Sequence, residues 1–402
     1  MSDLKQQIHD LMVNNRRTHG NFQYTVPSPD TYPYQWLWDS CFNAIILCQF
    51  NTEDAKKELL SLVSKQFKNG MIPHMIYWDG IDQSQVFRNK RLSKIKWGKE
   101  DTSTITQPPM IAFAALRIYQ TDNDKKFLEK IYPHIENFCR YLLGERDPRG
   151  HNLAGIINPD ESGEDNSPRF DDALGLPPKH TRDENFERRL DLVSANQKCK
   201  FDASNCMRNF FWMKDVPFNA ILVENLKCTV QIAKAIGKEQ DANFFALRAS
   251  QIEKAMRKFM LDKEIFWSAQ GPNYEKIHVT TWAIFSPLFA EILTPEEAEK
   301  LVKTHLFNKE EFNLPFIVPT VSKKEPSFDP EGFWRGSTWI GTNWFIFQGL
   351  KKYGFNKEAK KVLDSSTALL EKSGFREYFN PLTGGGLGAH DFTWAGLVLD
   401  MK

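Results

Sequence analysis

Four short segments of the chain concentrate carboxylates, tryptophans and glycines. The first runs Tyr32-Pro-Tyr-Gln-Trp36-Leu-Trp38-Asp39-Ser40 into an apolar stretch. Asp39 or Ser40 suits a helix N-cap. Trp36 and Trp38 beside Asp39 equally suit a sugar, whose CH faces want an apolar wall and whose hydroxyls want a charged acceptor. The second, Asn158-Pro-Asp160-Glu161-Ser-Gly-Glu-Asp165-Asn-Ser-Pro-Arg169-Phe-Asp171, is dense in carboxylates. Its spacing does not match an EF-hand calcium loop. Neighbouring acids push one another's pKa values apart, so such a loop can keep one carboxyl protonated while others ionise, as a general acid requires.

The third segment, Gly332-Phe-Trp334-Arg335-Gly336-Ser-Thr-Trp339-Ile-Gly-Thr-Asn343-Trp344, also enters an apolar run. Trp344 sits at core spacing, whereas Trp334, Arg335 and Trp339 flank glycines and are pocket candidates. The fourth is Phe375-Arg-Glu377-Tyr378-Phe-Asn-Pro-Leu-Thr383-Gly-Gly-Gly386-Leu-Gly. No GK[ST] follows these glycines and no strand signal precedes them, so this is not a phosphate loop. By itself Glu377 reads as an ordinary surface carboxylate. Taken together, two acids in different environments on opposite sides of an aromatic pocket could protonate a leaving oxygen and activate a water.

The elements that would position these segments are helical. Residues 124–143, 238–260 and 356–371 carry apolar side chains at spacings of three and four, giving one apolar stripe each. Residues 38–50, 105–119, 218–236, 280–293 and 336–353 are apolar on most faces, which predicts burial on most faces. About twelve helices alternate in this way. The pattern predicts an all-α, (α/α)6 toroid, with an inner ring enclosed by an outer one and the four segments at inner-helix ends. We read residues 1–402 as one catalytic domain. The stretch 144–217 shows no long helix beyond a short one over 183–198, and a connection of this length predicts a lid or pocket wall. The charged run 181–191 within it reads as a solvated face.

Composition narrows the partners. The chain has 402 residues, with 52 Lys and Arg against 51 Asp and Glu. This balance gives no electrostatic reason to expect nucleic acid or an anionic membrane. No apolar run is long enough to span a bilayer, and the N-terminus lacks an apolar leader pattern. Six cysteines without a CxxC pair argue against zinc and fit a reduced, cytoplasmic protein.

The segments YPYQWLWDS, TQPP (106–109), PDESGEDNSPRFD, FWRGSTWIGTNW and REYFNPLTGGGLGAHDFTW resemble, in order and across nearly the whole chain, those of glycoside hydrolase family 63. The resemblance implies an (α/α)6 barrel that hydrolyses α-glucosides or α-mannosides with inversion and needs no cofactor. It implies Asp165 as general acid and Glu377 as general base, with Tyr32, Trp36, Trp38, Asp39, Gln107, Trp334, Arg335, Gly336 and Trp339 lining the sugar subsite. Glu161 and Asp160 stand as alternative acids, and Asp391 as alternative base. The chain is too short for the additional β-rich domain of the larger members. It is similar to the compact bacterial members that hydrolyse mannosylglycerate or glucosylglycerate, with His74 and the basic stretch 88–99 as candidates near the aglycone.

Three rivals remain at this level. A trehalase or oligosaccharide α-glucosidase would use a similar acid pair on the same barrel. A sugar 2-epimerase would use histidines, for which His74, His278 and His390 are candidates. A noncatalytic sugar-binding relative would lack one of the two acids, and both are present here.

Overall fold

The computed structural model describes residues 2–80 and 101–402. Helix α1 (Ser2–Asn14) buries one side through Ile8, Leu11 and Met12. In α2 (Leu37–Leu47) every residue is buried, as its near-continuous apolar sequence requires, and one-sided α3 (Thr52–Val63) packs against it. The alternation continues through α4 (Ile111–Asp122) and α5 (Lys125–Gly144). Between these two, Asn123 adopts a left-handed conformation and Asp124 caps α5, so two residues suffice to reverse the chain. Two further helices, α6 (Arg182–Lys198) and α7 (Ala203–Asn209), precede buried α8 (Val216–Ala235) and outer α9 (Glu239–Phe259).

A 3-10 turn, Trp282–Phe285, runs into α10 (Ser286–Phe289), which is followed by α11 (Pro295–Leu301). Buried α12 (Ile340–Lys352), outer α13 (Asn356–Ser373) and a 3-10 segment, Thr393–Met401, complete the order. The inner segments touch in sequence: α2 on α4, α4 on α8, α8 on α10, α10 on α12, α12 on Thr393–Met401, and that last segment on α2. The ring is closed, and the protein is an all-α toroid. Phe42, Phe113, Phe289, Trp344 and Phe345 meet edge to face across its middle with centroids 5.0–5.7 Å apart. Trp344 is core, as its spacing predicts, and it donates to Asp400 at 2.9 Å.

The stretch 144–217 holds the helix expected over 183–198, as α6, and adds α7, which its sequence does not suggest. A capping box between Thr181 and Glu184 starts α6, which has few apolar side chains but buries Leu190, Leu192 and Val193 among them. Thr181–Glu184 and Arg188 are exposed, as a solvated face should be, but Arg189 turns inward. The expected reduced state holds at Cys41, Cys48, Cys139 and Cys228, which are free. It is corrected at Cys199 and Cys206, which are disulfide-bonded: the turn between α6 and α7 brings their Cα atoms to 5.6 Å. No helix among the described residues is long and apolar enough to cross a membrane.

Beneath the start of α2 lies a buried polar network. Gln35 donates to Ser40 at 3.0 Å and Ser61 at 2.8 Å, accepts from Trp78 at 2.8 Å, and Ser40 donates to Glu58 at 2.6 Å. Burial pushes the Glu58 carboxyl up to about 8, against the hydrogen bonds it accepts. The folded chain therefore keeps this proton where the unfolded chain has lost it. Its stabilising effect is complete below the unfolded carboxyl value and is lost as pH rises to about 8. Glu58→Gln should flatten the fall of Tm between pH 5 and 9, removing a pH-dependent contribution on the order of a few kcal/mol. Parallel Tm profiles for the two proteins would contradict a protonated Glu58.

Candidate active site

One pocket, with room for about 110 Å³, opens at the N-terminal ends of α2 and α12. Tyr32, Trp36, Trp38, Asp39, Gln107, Asp165, Trp334, Trp339 and Glu377 all line it. Pro27, Asp160, Gly163, Phe333, Phe392 and Trp394 complete the wall. Of these six, only Asp160 is named by the sequence reading, as an alternative acid; the other five are not among its subsite residues. Trp394 was legible only as the last residue of the fourth segment's extended motif.

Two of the expected lining residues stand behind the wall. Arg335 is buried and grips Asp171 with two hydrogen bonds, at 2.9 and 2.8 Å, while donating to the Pro178 carbonyl at 2.6 Å. Gly336 donates its N–H to Thr320 at 3.1 Å. Both hold the loop that carries Trp334 and Trp339, and neither lines the pocket.

The aromatic wall is layered. Trp334 and Trp339 stack at 3.7 Å with their planes 6° apart, and Trp339 stacks on Tyr378 at 5.0 Å. Trp334 reaches this position with a φ of +63°, a conformation a bulky residue keeps only when packing over-determines it. Trp38 meets Trp394 edge to face at 4.9 Å, and the Trp394 indole N–H donates to Asp39 at 2.7 Å. Burial pushes Asp39 up to about 7 despite that bond. Gly163 has a φ of +76°, and a Cβ there would lie 2.3 Å from the Trp38 ring. The acidic loop can approach Trp38 only through glycine.

That loop sorts its carboxylates by partner. Glu161 is fully buried, bonds Arg146 at 2.7 and 2.6 Å, and accepts from the N–H groups of Thr106 and Ile157. Glu164 is buried against Arg169 at 3.0 and 3.1 Å, and Arg169 reaches on to Asp215 at 3.1 Å. Asp160 and Asp165 face the pocket, and Arg189 of α6 pairs with both, at 2.6 and 2.7 Å. Glu161 is thus spent on the scaffold, away from the pocket.

Glu377 enters the same pocket from a hairpin, Arg376–Phe379 with Gly386–His390, at an irregularity of register between Arg376 and Tyr378. A bulge re-aims a side chain, and here Glu377 is buried in the pocket wall. Tyr32 donates to it at 2.6 Å and the Ala389 N–H at 2.8 Å. Burial raises its carboxyl to about 7, while those two donors and the field of Arg182 oppose the rise. Asp391 is exposed and does not line the pocket.

His74 lies behind Trp36, with ring centroids 5.1 Å apart, and shares a 2.6 Å hydrogen bond with Ser103. Burial lowers it to about 3, which leaves it uncharged at neutral pH. His278 and His390 are exposed and do not line the pocket. The basic stretch 88–99 lies outside the described residues. Among those described, no cluster of three or more His, Cys, Asp and Glu side chains is arranged to hold a metal ion.

Residues 32–395 match the mannosylglycerate hydrolase MGH1-like glycoside hydrolase domain. The chain is 32% identical to a mannosylglycerate hydrolase of Thermus thermophilus, over 95% of this chain and 97% of the relative. It is 28% identical to a glucosylglycerate hydrolase of Mycolicibacterium hassiacum, over 94% and 93%. Its structure superposes with a TM-score of 0.89 on a family 63 mannosylglycerate hydrolase of Thermus thermophilus solved with Tris and D-glycerate, at 31% identity and 99% coverage of both chains.

Two measurements probe this geometry. Tyr32→Phe removes a donor that favours charged Glu377, so its midpoint in a carboxyl carbon-13 NMR titration should move about one unit above the wild-type value. An unmoved midpoint would mean that the bond does not stabilise the carboxylate. Gly388→Ala would place a Cβ 2.3 Å from the Glu377 carboxylate oxygen, at a φ of +67°. A crystal structure of this variant should show the carboxylate pushed off the Ala389 N–H.

Proposed function

The chain belongs to the mannosylglycerate hydrolase MGH1-like glycoside hydrolases, and from that membership we propose that it hydrolyses mannosylglycerate with inversion, using Asp165 as general acid and Glu377 as general base. The observation that carries this reading is the pairing of two pocket carboxyls in unlike settings. Asp165 is tied to a guanidinium on the acidic loop side, and Glu377 is held by a phenol and a backbone N–H on a hairpin.

In this mechanism Asp165 gives a proton to the glycosidic oxygen as the bond to the anomeric carbon breaks. Glu377 takes a proton from the water that attacks the opposite face. Inversion needs the two carboxyls about 6.5–9.5 Å apart, leaving room for that water. Tyr32 and the Ala389 N–H fix which Glu377 lone pairs face the water. Trp36 and Trp38 give the sugar its apolar wall, and the Trp334–Trp339 stack backs it. Asp39, oriented by Trp394, accepts from sugar hydroxyls, and Gln107 adds a polar contact.

The glycerate carboxylate would be met by Arg182, whose guanidinium lies 4.2 Å from the ring of pocket residue Phe333. Residues 1–402 act as one catalytic domain, with 144–217 as the wall or lid over the bound sugar. A cytoplasmic setting belongs to the same reading: four thiols are free, against the one disulfide Cys199–Cys206.

Proton NMR of the protein with mannosylglycerate, glucosylglycerate and trehalose in separate tubes tests the proposal. β-Mannose should appear before mutarotation in the first tube. An initial α-anomer would rule out inversion, and faster turnover in another tube would reassign the substrate. Asp165→Asn and Glu377→Gln should each lose at least about a thousandfold in kcat with Tm preserved. Near-normal turnover in either would remove that residue from the mechanism.

A further inference from the structure

Asp160 lines the pocket, yet the mechanism above gives it no task. It is the second residue of the 3-10 turn Pro159–Ser162, five positions before Asp165, with its side chain 16% exposed. A single nitrogen, Nη1 of Arg189, contacts both acids, reaching Asp160 Oδ1 at 2.6 Å and Asp165 Oδ2 at 2.7 Å. The Arg189 Nε is committed to Asn185 at 3.0 Å, and the guanidinium lies 5.5 Å from the ring of Phe186, so α6 fixes the cation in place. The other Asp160 oxygen, Oδ2, is buried and has no hydrogen-bond partner among the described residues.

The charge count does not close. Two carboxylates share one guanidinium, and the further titratable groups that act on them in the pocket are Glu377 and the phenol of Tyr32, both in turn in the field of Arg182. Two adjacent acids with one cation lose their protons in two separated steps. A buried carboxylate oxygen without a donor is costly, whereas a neutral carboxyl tolerates the position. Burial, helped by the charge of Asp165 and opposed by Arg189, holds Asp160 at about 6.

We propose that Asp160 is a positioning residue for the general acid: by competing for the one guanidinium of Arg189, it keeps a proton on the Asp160–Asp165 pair. This inference rests on the assignment of Asp165 as the acid. When the proton of the pair resides on Asp165, its O–H bond breaks as an O–H bond forms on the departing glycosidic oxygen, which takes the electron pair of the C–O bond, and Asp165 is left as a carboxylate on Arg189. Glu377 gains the proton of the attacking water, and exchange with solvent restores both residues. Arg189 is then a brake on acid strength as well as an anchor for the loop.

The test is the pH profile of kcat/KM for the α-glycoside, followed by proton NMR in wild type, Asp160→Asn, Arg189→Gln, Arg189→Lys and Asp165→Asn. Asp160→Asn leaves Arg189 to Asp165 alone, so the optimum should move acidward by about half to one unit and the rate at pH 8 fall about tenfold. Arg189→Gln removes the cation and should move the optimum the opposite way, while Arg189→Lys stays near wild type. Shifts of opposite sign support the proposal, and a purely structural role would lower kcat without them. If Asp160→Asn does not fold, the alkaline shift in Arg189→Gln alone decides. Unmoved optima, with Asp165→Asn inactive, would overturn the role of Asp160 and leave the acid assignment standing. Near-normal turnover in Asp165→Asn would overturn the acid assignment and this inference with it.

Discussion

The pocket depends on the pairing of buried carboxylates with guanidinium groups along one loop. A segment with this many acids cannot be packed against an apolar ring unless each buried charge meets a fixed counter-charge, because removing an unpaired carboxylate from water costs several kcal/mol. Glu161 meets Arg146, Glu164 meets Arg169, and Asp171 meets Arg335. Such pairs contribute little net stability against apolar replacements, but they enforce geometry, since any other arrangement strands a charge. Their partners come from the end of α5, from within the loop and from the approach to α12. The three pairs therefore hold the acidic loop, the Trp334–Trp339 loop and the ring in one arrangement.

Once those acids are neutralised, two remain facing the pocket, and the hairpin supplies a third carboxyl in a different setting. Glu377 is buried in an aromatic surround and held by Tyr32 and a backbone N–H, whereas Asp160 and Asp165 share a cation. Burial raises both Glu377 and Asp160, but a phenol and a backbone N–H oppose it at Glu377, whereas the shared guanidinium of Arg189 opposes it at Asp160. This difference between environments, more than the presence of acids, divides a proton donor from a proton acceptor at the same pH.

The aromatic residues serve two ends. Phe42, Phe113, Phe289, Trp344 and Phe345 close the middle of the ring, so the funnel has a floor. Trp334, Trp339 and Tyr378 stack face to face in the buried pocket wall, where a flat rigid backing suits a sugar ring. Within that wall the indole N–H of Trp394 turns toward a carboxylate, Asp39, and so converts part of the apolar surface into an oriented acceptor.

Much of this was legible in the sequence. Segments apolar on all faces alternating with one-sided helices specify an inner and an outer ring, because burial on every side and burial on one side are different residue patterns. The chemistry-bearing segments also announced themselves, and Trp36, Trp38, Asp39, Trp334 and Trp339 do share one pocket with Asp165 and Glu377. Helix α7 escaped notice because it is only seven residues long and is started by the Asp202 cap, too short for an apolar period to show. The inward turn of Arg189 and the scaffold role of Arg335 were equally hidden: a charged residue reads the same whether its partner is water or a carboxylate far along the chain. The sequence alone thus determined which residue types and helices were present, since periodicity and composition are local. Tertiary structure decided which acid faced the pocket, which was consumed by an arginine and which shared one, because those are matters of distance between segments distant along the chain.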